Sequence, residues 1–172
     1  GGCIITNDDD LAEKVRKYRN YGGIQRYCHD IKGANSRLDE LQAGLLRVKL
    51  SHLDDIISER KRIAKQYEEG ITHPSILHPK ERSDSTSAWH QYVIRSNERD
   101  SIACYLHNNG VDTYIHYPVP LPLTKAYRDM GCRAGDFPVA EMYSKSVLSL
   151  PIYIGMQQEE QGYIIDLLNQ YS

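Results

Sequence analysis

An α/β chain is what this sequence predicts, and three observations carry the prediction. The last half alternates short apolar runs with amphipathic stretches, the middle holds a long helical pattern, and the start is a short apolar run followed by a charged helical pattern. Alternation of this kind makes a layered chain, and its last part reads as a small α+β layer in which helices cover a sheet.

Taken in order, Cys3 to Thr6 reads as a short buried strand. Asn7 or Asp8 then caps a helix from about Leu11 to Tyr18, which has acidic residues at its start and Lys14, Arg16, Lys17 and Arg19 toward its end. From Asn20 to Ala34 the residues are polar, aromatic and glycine-rich, as suits a loop, and a loop of this length is often functional. A helical region from about Arg37 to Glu69 follows, broken near Ser51, because Ser36-x-x-Asp39 and Ser51-x-x-Asp54 each resemble a capping box. Leu38, Leu41, Leu45 and Val48 share one face of its first piece. Leu53, Ile56, Ile57, Ile63, Ala64 and Tyr67 share one face of the second, whose other side, with Glu59, Arg60, Lys61, Arg62 and Lys65, reads as solvated. Gly70 ends the helix, and residues 72–86 read as a loop or linker.

The remaining elements are strands at Trp89–Ile94, Val111–His116 and Val147–Leu150, and helices at Arg99–Asn108, Ala140–Ser146 and Gln158–Tyr171. Within Val111–Pro120, Gly110 stops the preceding helix, Val111, Thr113 and Ile115 alternate, and Pro118 and Pro120 cannot donate to a ladder. The strand therefore ends at a loop that presents His116 and Tyr117. Such a pair suits a ligand rich in hydroxyls or phosphate oxygens; alternatively, His116 caps a strand and Tyr117 fills the rim of a core.

The chain has 172 residues, 21 basic and 23 acidic side chains and a net charge of −2, which gives no global field for nucleic acid or an anionic membrane. Its apolar runs are too short to cross a bilayer, so a soluble protein is expected. Cys3, Cys28, Cys104 and Cys132 show no C-x-x-C spacing, and reduced, mostly structural thiols and a cytoplasmic location are expected. The opening Gly1-Gly2 without an initiating Met reads as the middle of something longer.

Five segments in order carry a resemblance: residues 1–8 (GGCIITND), 35–43 (NSRLDELQA), 115–118 (IHYP), 135–141 (GDFPVAE) and 148–151 (LSLP). Together they resemble the DegT/StrS family of pyridoxal-phosphate-dependent nucleotide-sugar aminotransferases. The resemblance implies the fold-type I aminotransferase architecture: residues 1–50 as the C-terminal remnant of a large cofactor-binding domain, and residues 51–172 as a connecting helix and a small C-terminal α+β domain. It implies a homodimer in which Asn35 reaches toward the cofactor phosphate of the other subunit, although the residues alone also allow Asn35 to be a helix N-cap. Arg37 is expected to pair with carboxylates within the fold. His116 and Tyr117 match a pair beside the sugar substrate, in a His-Tyr-Pro-x-Pro setting that resembles enzymes aminating C3 of a nucleotide-linked keto-sugar, with glutamate as donor. Where such enzymes continue with His-Leu-Gln, this chain has Pro122-Leu123-Thr124. Tyr21 and Tyr27, in the glycine-rich loop, are weaker candidates for ligand or dimer contacts, and ordinary packing is expected for each.

The family's cofactor-anchoring lysine and pyridine-pairing aspartate lie upstream of the Gly-Gly segment, so no residue here is assigned a catalytic role, and the chain alone is expected to be inactive. A truncated, non-catalytic dimerisation or ligand-binding relative is the alternative. A cysteine hydrolase lacks a local signature, and His73, His78 and His90 lack the spacing and setting of a zinc site.

Overall fold

The computed structural model describes residues 2–172, which form two compact units that divide between Leu53 and Asp54. In the first, helix α1 (Asp9–Tyr18) starts where the Asp8 carboxylate accepts from the Leu11 N–H at 2.9 Å. Asp9 and Asp10 in its first turn and Arg16 and Lys17 in its last complement the helix dipole. The chain then folds back on itself: Tyr21 N–H donates to Ala34 O at 3.0 Å, Ala34 N–H to Tyr18 O at 2.8 Å, and Asn20 bridges Asn35. Two glycines permit this fold-back. A Cβ on Gly22, which lies at φ +91°, would meet Ile31 O at 1.6 Å, and one on Gly33 would meet Gly22 N at 2.2 Å.

Helix α2 (Glu40–Ser51) follows, and none of its residues is buried. Its predicted apolar face is instead open to solvent, with Leu41 77% and Leu45 63% exposed. The predicted strand at Cys3–Thr6 does not form, and Ile5 is 91% exposed. A strand requires a ladder partner, and none of the described residues pairs with this segment. The capping boxes differ as well. Asp39 is the N-cap of α2 without a side-chain bond, and Ser51 ends α2, its hydroxyl donating to Val48 O at 2.7 Å.

The second unit contains the core. Helix α3 (Leu53–Gly70) buries Ile63, Ala64 and Tyr67, and its Arg60 is more than solvated surface, since Nη1 donates to Trp89 O and His90 O, both at 3.0 Å. Strand β1 (Tyr92–Arg95) runs antiparallel to β2 (Val147–Leu150), with Tyr92 opposite Leu150 and Ile94 opposite Leu148. Single bridges, Leu77 to Arg95 and Tyr114 to Ser149, extend the sheet on its two edges. Helices α4 (Arg99–Asn108), α5 (Pro138–Ser146) and α6 (Gln158–Gln170) complete the unit. Ile102 and Leu106 of α4 and Ile164 and Leu168 of α6 close over Ile94 and Leu148 in one cluster.

Polar groups lock this packing. Gln161 Nε2 donates to Ile63 O at 2.7 Å, and Asn169 Nδ2 to Gly70 O at 2.8 Å, which ties α6 to α3. Tyr67 donates to Pro151 O at 2.9 Å, and burial pushes its phenol pKa up, as it does that of Tyr92.

Two predicted strands differ from expectation. Trp89 lies at φ +46° before a bend, so β1 starts only at Tyr92, opposite the end of β2. Val111–His116 makes one bridge, at Tyr114, and no strand. The cysteines are free, but Cys3, Cys28 and Cys104 are exposed and Cys132 is half-buried, so they are not core-packing thiols. Among the described residues no helix is long and apolar enough to cross a membrane.

Candidate functional site

The predicted site residues fall in different units. In the first, Asn35 is exposed at the end of the folded-back loop, five positions before Glu40, so it is not the N-cap of α2. Its Oδ1 accepts from Arg37 Nε at 3.2 Å, and the Arg37 guanidinium lies over the Tyr21 ring at 5.6 Å. The described partners of the Arg37 guanidinium are thus an amide and a ring, where sequence reasoning expected carboxylates. With Oδ1 engaged, the amide NH2 of Asn35 has no partner among the described residues and is free to donate to an anionic oxygen. Tyr21 and Tyr27 are exposed, each close to a guanidinium, and neither is packed into a core.

In the second unit, His116 and Tyr117 stand at the edge of the sheet beside β2. His116 is half-buried, and its Nδ1 lies 2.9 Å from Ser149 Oγ. The peptide bond joining the pair is cis, and their rings meet edge to face with centroids 5.5 Å apart. Tyr117 is 72% exposed, so it does not fill the rim of a core. Tyr114, two residues earlier, places its ring 6.1 Å from the His116 ring. The result is an imidazole held from behind, flanked by two phenols.

Sequence reasoning missed Ser149. The signal was the one polar residue in Val147-Leu148-Ser149-Leu150, a strand buried along its whole length. Leu148 and Leu150 face the core, so by strand alternation Ser149 faces the opposite side, toward His116. A groove of about 930 Å³ bordered by Arg95, Glu141, Met142 and Lys145 includes neither His116 nor Tyr117.

The remaining histidines and the lysines have other surroundings. His73 bonds Tyr171 O, and His78 bonds Tyr92 Oη and Ile71 O. Among the described residues no group of three or more metal-ligating side chains converges. A lysine that anchors an aldehyde cofactor needs desolvation to lower its pKa. Every lysine here is exposed except Lys17, whose hydrogen bonds to Glu13 and Asp30 push it up to about 12. None of these lysines has the desolvated setting that an anchoring amine needs, while the Asn35 amide N–H has the chemistry to donate to a phosphate oxygen.

The profile of the DegT/DnrJ/EryC1/StrS aminotransferase family matches residues 1–169. The chain is 45% identical over 169 residues to the erythromycin biosynthesis sensory transduction protein EryC1 of Saccharopolyspora erythraea, covering 98% of this chain and 46% of that protein. It is 42% identical over 171 residues to the dTDP-3-amino-3,6-dideoxy-alpha-D-galactopyranose transaminase of Aneurinibacillus thermoaerophilus, covering 99% of this chain and 47% of that one. The fold matches the crystal structure of S. venezuelae DesV in complex with a ketimine intermediate at a TM-score of 0.92 and 40% identity, over 96% of this chain and 45% of that chain. The chain thus spans about half the length of the curated relatives it matches, along their C-terminal halves.

Proposed function

Because the chain belongs to the DegT/DnrJ/EryC1/StrS aminotransferase family, we propose that it is the C-terminal portion of a pyridoxal-phosphate-dependent enzyme. In this reading the full-length protein transfers an amino group from glutamate to C3 of a nucleotide-linked keto-sugar. The observation that carries the reading is likeness along nearly the whole chain to relatives such as the 3-amino-sugar transaminase of A. thermoaerophilus, which is 42% identical. Residues 1–50 then belong to the large cofactor-binding domain, and residues 51–172 form the connecting helix and small domain. The enzyme works in the cytoplasm as a homodimer.

The cofactor, when bound, supplies the electron sink through which an amino group is moved. The residues of this chain bind and orient. Asn35 would donate its amide N–H to a phosphate oxygen of the cofactor held by the other subunit of the dimer, with Arg37 holding the amide by its other end. His116 and Tyr117 offer an imidazole nitrogen and an exposed phenol to the oxygens of the sugar nucleotide. No lysine of the chain is assigned to the chemistry.

The test is to supply the full-length protein with glutamate and a panel of C3- and C4-keto sugar nucleotides. Amination at C3 is the expected result. No turnover across the panel would overturn the reading and favour a non-catalytic dimerisation or ligand-binding relative.

A further inference from the structure

Ser149 is a buried residue, only 5% exposed. Its position relative to His116 is fixed by the backbone. Ser149 N–H donates to Tyr114 O at 2.8 Å, and Tyr114 N–H to Ser149 O at 3.3 Å. This bridge clamps the segment carrying His116 two residues further on, and the Tyr117 ring closes on the imidazole edge to face. A ring held in this way has one orientation, with Nδ1 directed at Ser149 Oγ across 2.9 Å.

That contact also determines which nitrogen carries the proton. A hydroxyl has one proton to give, and His116 Nδ1 is the only described partner of Ser149 Oγ. If Nδ1 carried a proton and donated it to Oγ, the serine's own proton would be left without a described acceptor on a residue only 5% exposed. If the hydroxyl donates to Nδ1, both groups are satisfied and the ring proton resides on Nε2. No described side chain bonds Nε2.

We propose that Ser149 is a positioning residue that fixes His116 as its Nε2–H tautomer, so that the free nitrogen of the ring is a hydrogen-bond donor to an oxygen of the acceptor sugar nucleotide. The proposal rests on the reading of His116 as ligand-facing and adds what that ligand must present. The ring seeks an acceptor, a carbonyl, hydroxyl or phosphate oxygen, and in its neutral form cannot take a proton from the ligand at Nε2. Ser149 acts only through His116 and touches no reacting atom.

The experiment uses full-length protein labelled with [15N]histidine, with the His116 signals identified by their loss in His116→Gln, read at a pH where the imidazole is neutral. The expected spectrum has Nδ1 in the unprotonated range and Nε2 in the protonated range. Ser149→Ala should relax His116 toward the mixture of tautomers found in free imidazole, and Ser149→Thr, which keeps the hydroxyl, should retain the single form. In kinetics, Ser149→Ala should raise KM for the sugar nucleotide by about five- to tenfold, as loss of one neutral hydrogen bond does. The glutamate half-reaction should be unchanged, and the threonine variant should restore KM. A protonated Nδ1 in the unaltered protein would overturn the proposal without any variant having to fold; an unchanged tautomer in Ser149→Ala would overturn it as well. Lack of sugar turnover by the unaltered protein would instead contradict the proposed reaction, and the nitrogen shifts would still decide the role of Ser149.

Discussion

The two units of this chain are ordered by different means. Asp54–Ser172 is built around an apolar cluster in which Ile94, Ile102, Leu106, Leu148 and Leu168 are almost completely buried. None of the described residues of the first unit is among that cluster's members; what orders it is a helix cap, fold-back backbone hydrogen bonds and two glycines at close approaches. Burial stabilises in proportion to the apolar area removed from water, whereas each exposed hydrogen bond replaces one to solvent at small net gain. Amphipathic patterning therefore has different consequences in the two regions. In α3 and α6 it marks what is buried, and in α2 it marks what is left open.

The largest expected effect separates the units by a single kind of substitution. Leu106→Ala should cost the chain about 2–5 kcal/mol in denaturant unfolding, the range for a fully buried leucine. Leu45→Ala, on the exposed face of α2, should stay within about 0.5 kcal/mol. Equal losses would break the contrast. Gly33→Ala comes next. Because a Cβ there would sit 2.2 Å from Gly22 N, the fold-back should open at a cost of about 1–3 kcal/mol, read as faster amide exchange at Tyr21 and Ala34 with the core amides of α4 unchanged.

Tyr67→Phe removes the hydrogen bond to Pro151 O and should cost about 1 kcal/mol. The smallest effect is in pH dependence. Burial raises the Tyr67 phenol, so the folded chain holds that proton more tightly than the unfolded one. Its contribution is complete below the unfolded phenol value of about 10 and is lost as pH rises through the higher folded value. Stability should therefore fall above about pH 10, and Tyr67→Phe should make the fall shallower. An alkaline fall of the same steepness in the variant would contradict the assignment to Tyr67.

Much of this arrangement was legible in the residues because the signals are local. The Asp8 cap and the charge order of α1 needed only neighbouring side chains, and the bounds of β2 followed from an apolar run closed by Pro151. What failed depended on partners far away in sequence. Val111–His116 alternates like a strand, yet only Tyr114 meets β2. Cys3–Thr6 has the composition of a strand, yet none of the described residues offers it a ladder. No element was expected between His116 and Ala140, and two 3₁₀ segments, Leu121–Leu123 and Lys125–Met130, lie there. At the site, the His116–Tyr117 pair stood out by its chemistry. Ser149, 33 residues away, did not, because nothing local shows which buried hydroxyl a histidine will meet.

The most direct test of the proposed reaction is to measure the two half-reactions of full-length His116→Ala separately. The account predicts a glutamate half-reaction within about twofold of the unaltered enzyme, and a sugar-nucleotide half-reaction whose second-order rate constant falls by about tenfold or more, since the lost contact is to the acceptor alone. Equal losses in both would contradict it and assign His116 a structural role at the edge of the sheet.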